Sequence, residues 1–268
     1  MNALYNVPPL FTALPGSFGP LALALLVAHL AGDFVFQSDT MARGKRDLNT
    51  LFSHAAIHAL LAYVAIGDWD GWELPLAVFV SHAVVDAIKV RVGRTQTAFW
   101  TDQAAHLAIL AGIAAGAAGL GYACGWTDSL AGNWSAACVI LSGAIVCVRV
   151  LAVVIGFWVE PYLVEIKTAG HTGDATGRDA IAGGGPRGLT NGGRTIGQWE
   201  RALIFLLVLI GQPAGIGFLI AAKSIFRFGE LMDRQNRMEA EYITIGTLMS
   251  FGSAIAVSFA TLALVRLR

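Results

Sequence analysis

Seven long apolar runs constrain this chain more than any other feature of its sequence. A helix needs about 20 apolar residues to cross the hydrocarbon core of a bilayer, and each run is close to that length. Of the 268 residues, 56% are hydrophobic and 13% charged, against roughly 25% charged in soluble domains. We therefore predict an all-α, polytopic integral membrane protein, and seven such runs argue against a soluble helical bundle. The runs are 19–37, 50–66, 74–90, 99–122, 134–159, 202–222 and 243–265.

The charges between the runs predict how the chain is oriented. Lysine and arginine follow the first, third and fifth runs, whereas the second and fourth connections carry acidic residues without lysine or arginine. Because cytoplasmic loops are enriched in cations, we expect the N-terminus to lie outside. Cations also follow the sixth run, which conflicts with this scheme. The Gly211-Gln212-Pro213 break offers a second arrangement, a re-entrant hairpin over 203–222, and the sequence leaves both open.

A polar connection over residues 161–198, of which ten of 38 residues are glycine, divides the chain. We predict a flexible cytoplasmic loop there. The predicted domains are a four-helix transmembrane unit (1–125) and a C-terminal transmembrane unit (126–268) that contains this loop. With 18 cationic and 18 acidic residues the net charge is zero, so nucleic acid is not an expected partner. Membrane lipid is the expected partner, and the sequence leaves open whether the chain forms a homo-oligomer.

Five of the six histidines stand four residues from an aspartate or from another histidine. Side chains four residues apart share one face of a helix, and this spacing recurs on four successive predicted helices. Every pair lies near the cytoplasmic end of its helix, so we expect the eight groups to share one layer. The pairs are His29 and Asp33, His54 and His58, His82 and Asp86, and Asp102 and His106.

The three aspartates of this set need a compensating partner inside a membrane. Each costs about 2.5 to 3.5 kcal/mol at the centre of a bilayer on insertion scales. Imidazole and carboxylate are ligands of zinc, iron and manganese, and four inward-facing helices can supply them. We predict that the eight side chains bind a divalent metal. Zinc is the first choice, and iron and manganese are the alternatives. A dinuclear centre and a single ion both fit, and a metal-free seam of hydrogen bonds is the competing interpretation.

Three further polar side chains extend the predicted site. Gln37 lies one helical turn beyond Asp33, where its amide can orient a ligand or a water. Lys45 and Lys89 lie just outside the ligand layer on the expected cytoplasmic side, where ammonium groups can hold a phosphate head group. The ordinary excess of cations in cytoplasmic loops explains both lysines equally well.

These residues fall into four stretches, in the order His29-Leu-Ala-Gly-Asp33-Phe-Val-Phe-Gln37 with Lys45, His54 with His58, His82-Ala-Val-Val-Asp86-Ala-Ile-Lys89, and Asp102-Gln103-Ala-Ala-His106. In them the first 125 or so positions resemble a bacterial integral-membrane family known only as domain of unknown function 3307. The resemblance implies a location in the bacterial inner membrane. It also implies that the polar residues of the four stretches act together, but it implies no reaction. In pattern alone, histidine and aspartate on membrane helices are also similar to families of membrane-bound metal-dependent hydrolases.

From these features we expect a multi-pass membrane hydrolase that uses a metal to cleave an ester or phosphoester of a lipid or amphiphile at the cytoplasmic leaflet. Metal-bound water would be the nucleophile, and Asp33 or Asp102 would stay off the metal as the general base. The alternative is a transporter of metal ions or protons that uses the same cluster. A third reading is a non-catalytic membrane protein whose glycine-rich loop recruits a cytoplasmic partner.

Overall fold

The computed structural model describes residues 16–92, 95–126, 133–172, 192–231 and 237–267, and within these ranges it contains helices and turns but no strand. The all-α class is therefore confirmed. The helices are α1 (Phe18–Ala31), which continues as the π-helical turn Gly32–Phe36, α2 (Asp39–Gly44), α3 (Leu48–Ile66), α4 (Glu73–Val92), α5 (Gln96–Gly119), α6 (Asn133–Ile145), which continues through the π-helical turn Val146–Val150 into α7 (Leu151–Thr172), α8 (Gly192–Leu209), α9 (Gly215–Leu231) and α10 (Arg237–Arg266).

Four helical segments among the described residues are long and apolar enough to cross a membrane. They are Phe18–Phe36, Leu48–Ile66, Asn133–Ile166 and Ala240–Arg266. These segments indicate a membrane protein and coincide with the first, second, fifth and seventh predicted runs. Helices α4 and α5 coincide with the third and fourth runs, and their crossing of the membrane stays a prediction.

The sixth predicted run, 202–222, is not a single helix. Helix α8 ends at Leu209, Gly211 has a left-handed φ of 74°, and α9 begins at Gly215. A glycine accepts this φ without steric cost, so the Gly-Gln-Pro sequence forms a turn. The ammonium of Lys223 contacts Oε2 of Glu200, which shows that α8 and α9 run back along each other as a hairpin.

The predicted glycine-rich loop over 161–198 is shorter than expected. Helix α7 continues to Thr172, and α8 already begins at Gly192. Only the central part of the predicted loop, residues 173–191, is left between these helices, and it lies outside the described residues.

The described residues within Met1–Ile145 and Thr261–Arg268 form one compact unit, and those within Val146–Ala260 form a second. In the first unit α1 packs against α3, α5 and α6, and α4 packs against both α3 and α5. Helix α1 is therefore surrounded, and Leu21 and Ala24 are completely buried. The predicted boundary between residues 125 and 126 stays a prediction. The two compact units are groups of residues that pack together, whereas the predicted boundary separates two sets of transmembrane helices.

The second unit is organised around the buried guanidinium of Arg201. It donates to the carbonyl oxygens of Cys147 and Val148, both at 2.9 Å, and to Oγ of Ser250 at 3.1 Å. Both carbonyls belong to the π-helical turn Val146–Val150, which interrupts the regular helical hydrogen bonds and frees acceptors for a side chain. These contacts satisfy the buried cation, and we assign Arg201 a structural role.

Candidate metal centre

A π-helical turn at the end of α1 places Asp33 among the histidines of the neighbouring helices. The turn covers Gly32–Phe36, and such turns occur frequently at functional sites. Position 32 requires a glycine because the ring of His58 approaches its backbone closely. A Cβ at this position would lie 2.3 Å from Cε1 of His58. The absence of a side chain at Gly32 therefore lets the imidazole of His58 pack directly on the backbone of this turn.

The first group of ligand atoms surrounds Asp33. Its Oδ1 lies 3.1 Å from Nε2 of His54, 3.3 Å from Nε2 of His58 and 3.9 Å from Nε2 of His82. One ligand atom from each of the four residues can be chosen so that all lie within 4.8 Å of one another. Ligands of a tetrahedral zinc ion with bonds of about 2.1 Å are separated by about 3.4 Å, and the two shortest distances match that edge.

Asp86, Asp102 and His106 form a second group, again with ligand atoms within 4.8 Å of one another. Two lysines already bind its carboxylates. Nζ of Lys45 donates to Oδ2 of Asp86 at 2.7 Å, and Nζ of Lys89 donates to Oδ2 of Asp102. Two of the three carboxylates in the cluster therefore have an ammonium partner from the chain itself.

A third group consists of His29, His82 and His106, whose ligand nitrogens also lie within 4.8 Å of one another. The ring of His82 stacks on His58 with centroids 3.6 Å apart and on His106 with centroids 4.2 Å apart. A cavity of about 10 Å³ lies beside these rings and is otherwise lined by aliphatic side chains and Ser81. A space of that size holds at most one water, so apolar packing closes the cluster on this side.

Buried ring nitrogens allow a test of whether a cation fits. Nε2 of His58, His82 and His106 is buried in each case and makes no hydrogen bond of acceptable geometry within the described structure. Each of these nitrogens nevertheless lies 3.3 to 3.5 Å from a carboxylate oxygen. An unpaired buried polar atom costs about 1–3 kcal/mol, so buried groups normally have partners. A divalent cation beside Asp33 would satisfy Nε2 of His58 and of His82 together with the facing oxygen of Asp33, and the donor set of this group fits one.

Two glutamines flank the Asp33 group. The amide nitrogen of Gln37 lies 2.9 Å from Nε2 of His54, which itself lies 3.1 Å from Oδ1 of Asp33. A neutral ring nitrogen carries either a lone pair or a hydrogen, so it cannot accept from the amide and donate to the carboxylate at once. Gln103 donates to Oδ2 of Asp33 at 2.9 Å, and its Oε1 lies 3.4 Å from Nε2 of His29.

The structure brings together all eight side chains that the four-residue spacing selected, and their roles as metal ligands stay predictions. Gln37 contacts the cluster through a histidine. Lys45 and Lys89 bind carboxylates of the cluster directly, whereas the sequence placed them just outside it. Sequence reasoning assigned no role to Gly32 or Gln103. For Gln103 a signal existed, since it precedes a histidine of the cluster by three residues and so shares its helix face.

Comparison with known proteins gives one match. No curated protein and no solved structure matches the chain at a significant level. The model of a family described as "Protein of unknown function (DUF3307)" matches residues 21–127, a segment that contains every side chain of the cluster. The resemblance predicted from the four stretches is thereby confirmed, and residues 21–127 of this chain are similar to the DUF3307 family.

Proposed function

We propose that this chain is a multi-pass membrane hydrolase in which the π-helical turn after α1, together with α3 and α4, holds one divalent metal ion, with zinc as the first choice, and α5 supplies the general base. Its substrate would be an ester or phosphoester of a lipid or other amphiphile that reaches the cytoplasmic leaflet. The main support is the group formed by the carboxylate of Asp33 and three imidazoles around it. Their ligand atoms lie within 4.8 Å of one another in the protein interior. Iron and manganese accept the same donors and are the alternative metals.

The four ligands we assign are Asp33, His54, His58 and His82. They include the one carboxylate of the cluster whose contacts are to histidines and a glutamine rather than to lysine. A divalent cation that takes a water as a further ligand beside these four side chains would lower the pKa of that water towards neutrality and polarise the scissile oxygen. His29 and Gln103 would orient Asp33, since both lie against its Oδ2.

Asp102 is the better candidate for the general base. Its Oδ2 is bound by Lys89, whereas its buried Oδ1 has no hydrogen-bond partner in the described structure. In the proposed hydrolysis one water adds across the ester bond. Asp102 takes a proton from the water and returns it to the oxygen of the leaving group as the bond to the carbonyl carbon or phosphorus breaks. Asp33, the other candidate base, is assigned to the metal.

The membrane placement forms part of the proposal. We place the chain in the bacterial inner membrane with its N-terminus outside, so that the C-terminal ends of α1 and α4 and the N-terminal ends of α3 and α5 face the cytoplasm. The cations near these ends, among them Arg43, Lys45, Arg46 and Arg91, favour that orientation. The cluster then lies just beneath the cytoplasmic surface of the membrane.

Metal analysis of the purified protein tests this function. We expect about one equivalent of zinc in the wild type, loss of that metal in a His54→Ala, His58→Ala double variant, and full retention in His171→Ala, which removes the one histidine of the sequence that the four-residue spacing does not select. Equal metal content in all three proteins would refute the assignment. Asp102→Asn should keep the metal and lose hydrolysis of a long-chain ester or phosphoester. Flux of metal ions or protons across sealed vesicles, without hydrolysis, would instead support a transporter.

A further inference from the structure

The charge of the cluster constrains the substrate of the proposed metal site, and this inference rests on that proposed function. The cluster contains three carboxylates and two ammonium groups, with Lys45 bound to Asp86 and Lys89 bound to Asp102. This leaves one negative charge when the histidines are neutral. A divalent cation changes this to one positive charge. A buried site with a net positive charge attracts an anion, because charges interact more strongly in a water-poor interior than in solvent.

The two lysines differ in their access to solvent. Lys45 is 8% exposed and binds Asp86, whereas Lys89 is 30% exposed and binds Asp102, the proposed base. Lys89 therefore combines a contact inside the cluster with a route to the outside. Its flexible stem allows the ammonium to move from the carboxylate to an incoming anion while it stays at the edge of the site.

Large apolar side chains lie exposed close to the polar residues at this end of the helices. Phe36 precedes Gln37, Ile88 precedes Lys89, and Trp100 lies two residues before the proposed base on α5. Their exposed fractions are 54%, 59% and 46%. A partly exposed cation at the end of helices that also expose apolar side chains is complementary to a molecule that has an anionic head and an apolar chain.

We infer that the substrate is an amphiphile with a phosphate-type anionic head group, and that Lys89 binds an oxygen of that head group. On binding, the ammonium of Lys89 moves from Asp102 to the anion, which frees Oδ2 of Asp102 beside the reacting group. Lys45 stays on Asp86 and keeps that carboxylate in place. Lys89 thus selects phosphoesters over neutral carboxylic esters.

Binding to cobalt-loaded protein in phosphatidylcholine nanodiscs tests this inference, because the visible absorption of cobalt responds to groups that bind beside the metal. The probes are decyl phosphate, ethyl phosphate and the neutral decyl glucoside. We expect decyl phosphate to perturb the spectrum at a concentration at least tenfold lower than ethyl phosphate, and decyl glucoside to leave it unchanged. Lys89→Gln should raise the half-saturating concentration of decyl phosphate at least tenfold, and Lys89→Arg should restore much of the binding.

Arg91→Gln is the matched control, since Arg91 is an exposed cation two residues along the same helix. Equal weakening by Lys89→Gln and Arg91→Gln would overturn the assignment of Lys89. Equal binding of ethyl and decyl phosphate would identify a free phosphate compound, not an amphiphile, as the ligand. Metal content is measured in every sample first. Absence of metal from the protein would refute both proposals. If the metal-loaded protein responds no more to decyl phosphate than to decyl glucoside, only this inference is refuted.

Discussion

A methyl group at position 32 would occupy the space that the imidazole of His58 fills. The added Cβ would lie 2.3 Å from Cε1, 2.4 Å from Nε2 and 2.7 Å from Nδ1 of that ring. Ordinary van der Waals contacts begin at 3.4 Å, so in Gly32→Ala the ring has to retreat by about 1 Å. Metal sites tolerate only about 0.2 Å in ligand distance, so His58 would no longer reach an ion shared with Asp33. We expect metal affinity to fall at least 100-fold, more than the 10- to 100-fold typical of outer supporting groups.

Competition with a chromophoric chelator measures this affinity, and circular dichroism reports the helix content. Gly112→Ala is the matched control, because a Cβ there meets nothing within 4 Å and alanine stabilises a helix by about 0.5–1 kcal/mol relative to glycine. The control should bind metal like the wild type. Equal metal affinity in Gly32→Ala and Gly112→Ala would refute the packing argument and the assignment of His58 as a ligand.

Three further predictions concern stability. Lys45→Met should lower the free energy of unfolding in detergent by about 3–5 kcal/mol, because it leaves the Asp86 carboxylate buried without its ammonium partner. The control Arg46→Met, at an exposed position, should change it by less than about 0.5 kcal/mol. Arg201→Met should destabilise by about 3 kcal/mol, since it strips three acceptors of their donor, two of them buried. The exposed Arg194→Met should not, and similar unfolding midpoints for the two variants would contradict a structural role. Hydrogen bonds from Thr50 to the N-cap residue Asp47 lower the pKa of the Asp47 carboxyl. The charged carboxylate therefore stabilises α3 fully above the unfolded pKa of about 3.9, and this stabilisation is lost as the pH falls. Asp47→Asn, which keeps a capping side chain, should therefore flatten the fall of the thermal midpoint between pH 5 and about pH 3, and an unchanged pH profile would contradict this.

The proximity of the histidines and aspartates could be predicted because helix geometry is local. A four-residue spacing fixes a shared face on each helix, and a common depth from the ends of the helices then brings the four faces to one level. His54 and His58 on α3 illustrate this, since Nε2 of each lies within 3.3 Å of Oδ1 of Asp33 in the turn that follows α1. The apolar runs likewise predicted helices, but hydropathy alone did not decide whether the run over 202–222 forms one span or a hairpin at the Gly211-Gln212-Pro213 break. The structure forms the hairpin.

The contacts of the lysines and of Gly32 could not be predicted, because each depends on the packing of separate elements. Lys45 follows the short helix α2 and reaches Asp86 on α4, 41 residues away in sequence. No periodicity connects these two positions, and the excess of cations in cytoplasmic loops accounted for the lysine without a partner. Gly32 is one of 31 glycines, and the approach of a ring from α3 is what distinguishes it.

The repeated His-x-x-x-Asp pattern of α1 and α4 suggests two equivalent metal sites, but the structure gives its two aspartates different surroundings. Asp33 lies among imidazoles and a glutamine, whereas Asp86 is bound at 2.7 Å by the buried ammonium of Lys45. A second ion in the group of Asp86, Asp102 and His106 would have to displace two ammonium groups and would add a further double charge to an interior that one ion already makes positive. The energetic cost of that charge favours a single metal at Asp33, with the lysines taking the place of a second cation.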